Sequence, residues 1–146
     1  VHFPAYGRRV AVMIPQNDGL TADIRIIERP TKTYRMDLSG DTIEGYTDEL
    51  KAMEQAIYKI IRTERYRYII YSWDYGIELE DLFGMPVSYC IPEIERLVTE
   101  ALLQDTRILE VNNFEFEEPN RGVVYVKFKA LTIFGKLDIE EEVQIA

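Results

Sequence analysis

The chain of 146 residues holds one cysteine and one histidine. Cys90 has no second cysteine to bridge to, so no internal disulfide forms, and its neighbours Tyr89 and Ile91 mark it as a buried thiol suited to a reducing compartment. With only His2 beside that thiol, the material for a Cys/His zinc site is missing. A Ser-His-Asp or Cys-His nucleophile would have to rely on the same terminal histidine, so neither chemistry is expected. Long apolar runs are missing as well. Ile69-Ile70-Tyr71 is typical of the longest, whereas a membrane-spanning helix needs about 20 residues. Cations are outnumbered, Lys plus Arg 17 against Asp plus Glu 26, for a formal net charge of −9. Such a chain repels phosphate backbones, so neither nucleic acid nor a membrane is an expected partner. Glycines Gly40, Gly45, Gly76 and Gly84 are too scattered for a phosphate-cradling loop. No cofactor and no small-molecule substrate are expected.

What remains is 47% apolar and 29% charged residues, the composition of one globular domain large enough to bury a core without staples. Val1–Val12 reads unlike the rest, and Met13-Ile14-Pro15 looks like a natural start. Residues 1–12 are therefore expected to be an appended or flexible arm, and 13–146 a single domain. Residues 13–30, with Pro15, Gly19 and Pro30, read as an extended arm to which Ile24, Ile26 and Ile27 could add a short strand. Lys32–Leu38 and Thr42–Tyr46 flank the turn Ser39-Gly40-Asp41 and predict a β-hairpin. Thr47 is the expected N-cap of a helix over 48–62, whose apolar positions Leu50, Met53, Ile57, Ile60 and Ile61 recur at helical spacing. Tyr66–Tyr71 is aromatic and β-branched and predicts a strand. A second helix is expected over 88–104, opened by Pro86, with Pro92 within its first turn or so. Arg107–Glu117 and Gly122–Phe134 then predict two strands around a turn at Glu118–Gly122, followed by a last extended piece carrying Leu137, Ile139, Val143 and Ile145. The order β-β-α-β-α-β-β(-β) gives an α+β domain with a mixed or antiparallel sheet.

Carboxylates are the only plentiful residues with catalytic chemistry. Glu78, Glu80 and Asp81 form one group, and Glu115, Glu117 and Glu118 another, but nothing in their spacing sets two of them across a cleft. Glu140-Glu141-Glu142 reads as a solvated strand edge that discourages stray pairing. The segment from Thr63 to Gly76 is the densest candidate, with Arg65 and Arg67 interleaved among Tyr66, Tyr68, Tyr71, Trp73 and Tyr75. Two readings stand side by side: a core strand with a local Glu64–Arg67 ion pair, or a partner surface anchored by aromatic and Arg side chains.

The run Ala56–Tyr66 followed by Ile70–Leu79 resembles the XkdS-like proteins of PBSX-type defective prophages. Tyr34-Arg35-Met36-Asp37 and Ile108-Leu109-Glu110-Val111 fit the same pattern, and the resemblance covers about residues 13–146. More distantly, the arrangement is similar to the small wedge protein of contractile phage baseplates and to TssE of type VI secretion systems. The resemblance implies a structural, non-enzymatic part that contacts wedge subunits and seeds or anchors the tail sheath. It would assemble in the host cytoplasm and end in the baseplate of a phage-tail-like particle. Glu64 and Arg65 match that family's Glu-Arg motif, with Tyr75 and Gly76 at the turn. Thr63 stands where the distant relatives have glycine, and Trp73 where they have proline.

The expected contact set is therefore Glu64, Arg65, Arg67, Trp73, Tyr75 and Gly76 toward the wedge. Val124, Val126, Phe128, Leu137, Ile139 and Val143 mark the strands expected to dock the sheath by strand addition. On this reading Arg65→Ala weakens assembly with little loss of stability, and truncation at Gly135 leaves a folded domain unable to hold the sheath. The alternative is a muralytic hydrolase using clustered carboxylates such as Glu78 or Glu115.

Overall fold

The computed structural model describes residues 30–37, 39, 40 and 42–146. The arm expected at 1–12 and most of the extended stretch after it lie outside the described residues. Strands β1 (Thr33–Met36) and β2 (Ile43–Thr47) pair antiparallel as the expected hairpin. Helix α1 spans Glu49–Ile61, α2 spans Val87–Leu103, and strands β3 (Ile108–Asn120), β4 (Val123–Thr132) and β5 (Gly135–Gln144) complete the chain. The class is α+β, with two helices and two antiparallel sheets of two and three strands.

Helix α1 starts one residue later than the capping pattern predicts. Thr47 is spent as the buried last residue of β2, and Asp48 caps instead, its carboxylate accepting the Glu49 N–H at 2.8 Å. The helix buries Met53, Ile57, Ile60 and Ile61. It also buries Gln55, whose side chain accepts from Met36 N and donates to Tyr34 O, both at 2.8 Å. That amide ties β1 to α1 and satisfies two backbone groups, a role the helical pattern does not announce.

Helix α2 buries Cys90, Ile94, Val98, Ala101 and Leu102, and the thiol is fully enclosed. Pro92 is the sixth helical residue, one position deeper than in the expected helix over 88–104. Its missing N–H frees the Ser88 carbonyl, and both residues lie on the exposed face, where water can serve that carbonyl.

The three-stranded sheet is a meander in the order β3-β4-β5. Strand β4 alternates strictly, with Val124, Val126, Phe128, Ala130 and Thr132 buried. Strand β5 adds Ile139 and Val143, and Ile145 just beyond it, to the same core. Truncation at Gly135 would therefore strip the core of three apolar side chains and does not leave the folded remnant expected from sequence. The β3–β4 turn is shorter than Glu118–Gly122 suggests: the strand continues to Asn120 and only Arg121-Gly122 turn. Gly122 has φ +85°, and a Cβ there would sit 2.6 Å from that of Ala146.

Between the helices, Tyr66–Tyr71 is not a strand. Ile69 is 101% exposed and Ile70 85%, and the segment forms consecutive turns. A single parallel bridge, Glu64–Ile77, holds that position in the chain order. Burial explains the difference: β-branched and aromatic residues favour strands where a sheet partner and a core face receive them, and here neither does.

Candidate functional site

Directly after α1, the chain is drawn back on itself by a clamp. Ile77 N donates to Thr63 O at 2.9 Å and Arg65 N to Ile77 O at 3.0 Å, closing residues 66–76 into a loop. Gly76 sits at the closure with φ +95°, and a Cβ would lie 2.5 Å from Thr63 O, so only glycine fits. The Arg65 guanidinium, its side chain 9% exposed, donates from Nε and Nη2 to Gly76 O at 3.2 and 3.1 Å. Its Nη1 reaches Glu78 at 3.4 Å and Glu100 of α2 at 3.1 Å. Glu64 turns the other way, its carboxylate accepting from Leu79 N at 3.2 Å and Glu80 N at 3.4 Å, where a 3-10 turn begins at Glu80–Leu82. Burial raises the Glu64 pKa against the lowering effect of those two N–H donors.

Glu64 and Arg65, neighbours in sequence and expected at the wedge contact, turn opposite ways and form two halves of a clasp within the chain. The local Glu64–Arg67 pair is replaced by an exposed pair between Arg67 and Glu80 at 2.8 Å. Glu100, 35 residues from Arg65, carries no local sequence signal for this role.

The clamp presents a loop whose apolar residues face solvent. Besides Ile69 and Ile70, Trp73 is 78% exposed, and Tyr66 and Tyr68 stand out with them. Tyr75 is half-buried and stacks on Tyr71 with ring centroids 4.5 Å apart, fastening the loop to the body. Several large apolar side chains exposed on one short loop make it a candidate interaction surface. Trp73, Tyr75 and Gly76 therefore share one loop in different settings: Trp73 exposed, Tyr75 packed against the body, and Gly76 at the closure.

The second region is the free side of β5. Val124, Val126, Phe128, Ile139 and Val143 are buried, and Leu137 is half-buried, so their side chains build the core and stay unavailable to a partner. Strand β4 lies between β3 and β5, so both its edges are taken; the dock expected on Val123–Ala130 has no free backbone there. Among the described residues, strand β5 has one edge without a strand partner. It pairs with β4 from Gly135 to Gln144 without a bulge, whereas β3 breaks register at three places and carries Asn113 at φ +56°. A regular edge accepts another strand; a bulged one resists it. Along β5 runs a groove of about 510 Å³, walled by Glu54 and Tyr58 of α1, Arg62 just after it, Glu117 of β3, Tyr125–Lys127 of β4 and Asp138–Glu142.

Glu140 and Glu142 are exposed along this edge as expected, but Glu141 is not: it is buried, 8% exposed, and pairs with Arg62 at 3.2 Å. Burial raises its pKa, opposed by the Arg62 charge. The carboxylates offered for hydrolysis are engaged elsewhere: Glu78 holds Arg65, and Glu115 stands on the outer sheet face opposite Lys127. Among the described residues no group of three or more His, Cys, Asp or Glu could hold a metal ion, and no helix is long and apolar enough to cross a membrane.

A family model described as contractile injection system sheath initiator matches residues 28–135, which contain the clamp, the loop and most of the meander. The phage-like element PBSX protein XkdS of Bacillus subtilis (strain 168) is 35% identical over 128 residues, covering 85% of this chain and 89% of that protein. This chain belongs to the family of contractile injection system sheath initiators.

Proposed function

We propose that this protein is a non-catalytic baseplate part that starts the contractile sheath by lending the β5 edge to an extended segment of the first sheath subunits. The observation that carries the reading is that edge: unbulged over its whole length, without a strand neighbour among the described residues, and beside a groove that α1 helps to line. The Ile69–Trp73 loop, held out by the Arg65 clasp, is the surface for the larger wedge subunits, with Arg67 at its margin. Assembly proceeds in the host cytoplasm and ends in the baseplate of a phage-tail-like particle.

A proline on the edge tests the sheath dock. The Ile145 N–H donates to Gly122 O, and hydrogen-bonded and open positions alternate along an antiparallel ladder. The N–H of Glu140 therefore points to the free side. Glu140→Pro should keep the fold, remove an edge donor, and abolish co-assembly with purified sheath subunit in sedimentation, while Glu140→Thr co-assembles normally. Normal co-assembly of a folded Glu140→Pro protein would contradict the dock.

A further inference from the structure

Resting on the dock proposed above, the outer face of the sheet carries information about the strand that fills it. Cations on β4 face carboxylates on β5, and in the row through Lys127 a carboxylate stands on β3 as well. Lys127 of β4 lies between Glu117 of β3, at 3.8 Å, and Glu140 of β5, at 3.7 Å, and Lys129 lies 3.8 Å from Asp138. The register sets Lys127 opposite Glu140, Lys129 opposite Asp138, and Tyr125 opposite Glu142. Strand β5 therefore ends the row on a line of carboxylates, Asp138, Glu140 and Glu142, all exposed.

The same three residues, flanked by Lys136 and Gln144, turn their backbone groups away from β4. Ile145 bonds to Gly122, so the odd-numbered β5 residues turn N–H and C=O toward β4 and their side chains into the core. Asp138, Glu140 and Glu142 turn theirs to the open edge. A strand added there sets its outward side chains directly beside these carboxylates, within cross-strand reach. Its alternate side chains would point to the core side of the sheet, toward the groove that Tyr58 and Ile139 help to line.

We infer that the occupant is an extended segment in which Lys or Arg alternates with apolar residues, its cations pairing with the β5 carboxylates as Lys127 and Lys129 do from β4. The carboxylate line also decides against a second copy of this chain, because β5 against β5 would oppose acid to acid.

The test uses the full chain, isotopically labelled, titrated with short peptides that alternate Lys with Val, Glu with Val, or carry the same Lys and Val residues in two blocks. The Lys-alternating peptide should shift the backbone amides of Asp138, Glu140 and Glu142, and raising salt from about 50 to about 300 mM should weaken it severalfold. It should bind at least about tenfold more tightly than the Glu peptide. The reversed variant D138K/E140K/E142K, checked for native unfolding behaviour, should invert that preference. Equal binding of both alternating peptides at β5, without a salt effect, overturns the charge pattern and leaves strand addition standing. Binding of the block peptide as tightly as the alternating one overturns the strand geometry. Shifts at Glu78, Glu80 and Asp81 instead of β5 overturn the site. Amide shifts at β5 that grow with protein concentration alone would mean self-pairing and overturn the choice of occupant. Failure of the dock itself reads out separately, as indifference of sheath co-assembly to Glu140→Pro.

Discussion

Arg65 contacts one carbonyl and two carboxylates from a nearly enclosed position, so its removal leaves the loop closure without its charge-assisted bonds. Arg65→Ala should cost about 2 kcal/mol, tempered by the partial exposure of Glu78 and Glu100, and lower Tm by roughly 6–8 °C. This reverses the expectation from sequence that the arginine could be removed cheaply. Arg67, in an exposed pair with Glu80, is the better probe of a contact: Arg67→Ala should change stability by less than about 0.5 kcal/mol in thermal unfolding. Glu141 makes a different prediction. Its folded pKa is raised, so the folded protein binds that proton more tightly than the unfolded chain does, and this contribution to stability falls as pH rises through the interval above the ordinary glutamate value. Glu64 adds a fall of the same sign. Denaturant unfolding of Glu141→Gln across that interval should show a shallower decline than the parent and no loss at neutral pH. A large loss at neutral pH would mean that the Arg62 pair outweighs the burial of the carboxylate.

At the scale of elements, the legible parts were those whose burial is periodic. The stripe Met53-Ile57-Ile60-Ile61, its counterpart Ile94-Val98-Ala101-Leu102, and the alternation of β4 all report a core face directly. The Tyr66–Tyr71 segment was misleading for a physical reason. Its composition is that of a strand, but its conformation is set by Arg65 and Gly76, whose bonds reach across the chain and, through Glu100, into another helix. Likewise, alternation announces that β4 and β5 share a sheet but not which of them lies at its edge, and that decides where a partner can bind. Two sets of substitutions separate the elements. Phe128→Ala, in a residue 2% exposed and stacked on Phe114 at 5.3 Å, should cost about 3–5 kcal/mol by denaturant unfolding. Replacing Ile69, Ile70 and Trp73 together by serine should leave stability within about 0.5 kcal/mol while abolishing wedge-subunit binding in a pull-down. A comparable stability loss in the triple variant would put the loop in the core of the fold after all.

At the scale of the molecule, the function proposed above would divide the work between two surfaces: a loop that holds the protein to its baseplate, and a strand edge that passes sheet order to the first ring of sheath. Each depends on features the core leaves unused, the apolar side chains outside it and the backbone groups at its rim. Electron microscopy of particles from a strain lacking this gene tests the division at its root, with complementation by the parent and by Glu140→Pro. The account predicts naked tubes, free baseplates or loose sheath in the deletion, restored by the parent and not by the proline variant. Intact contractile particles in the deletion strain would contradict it.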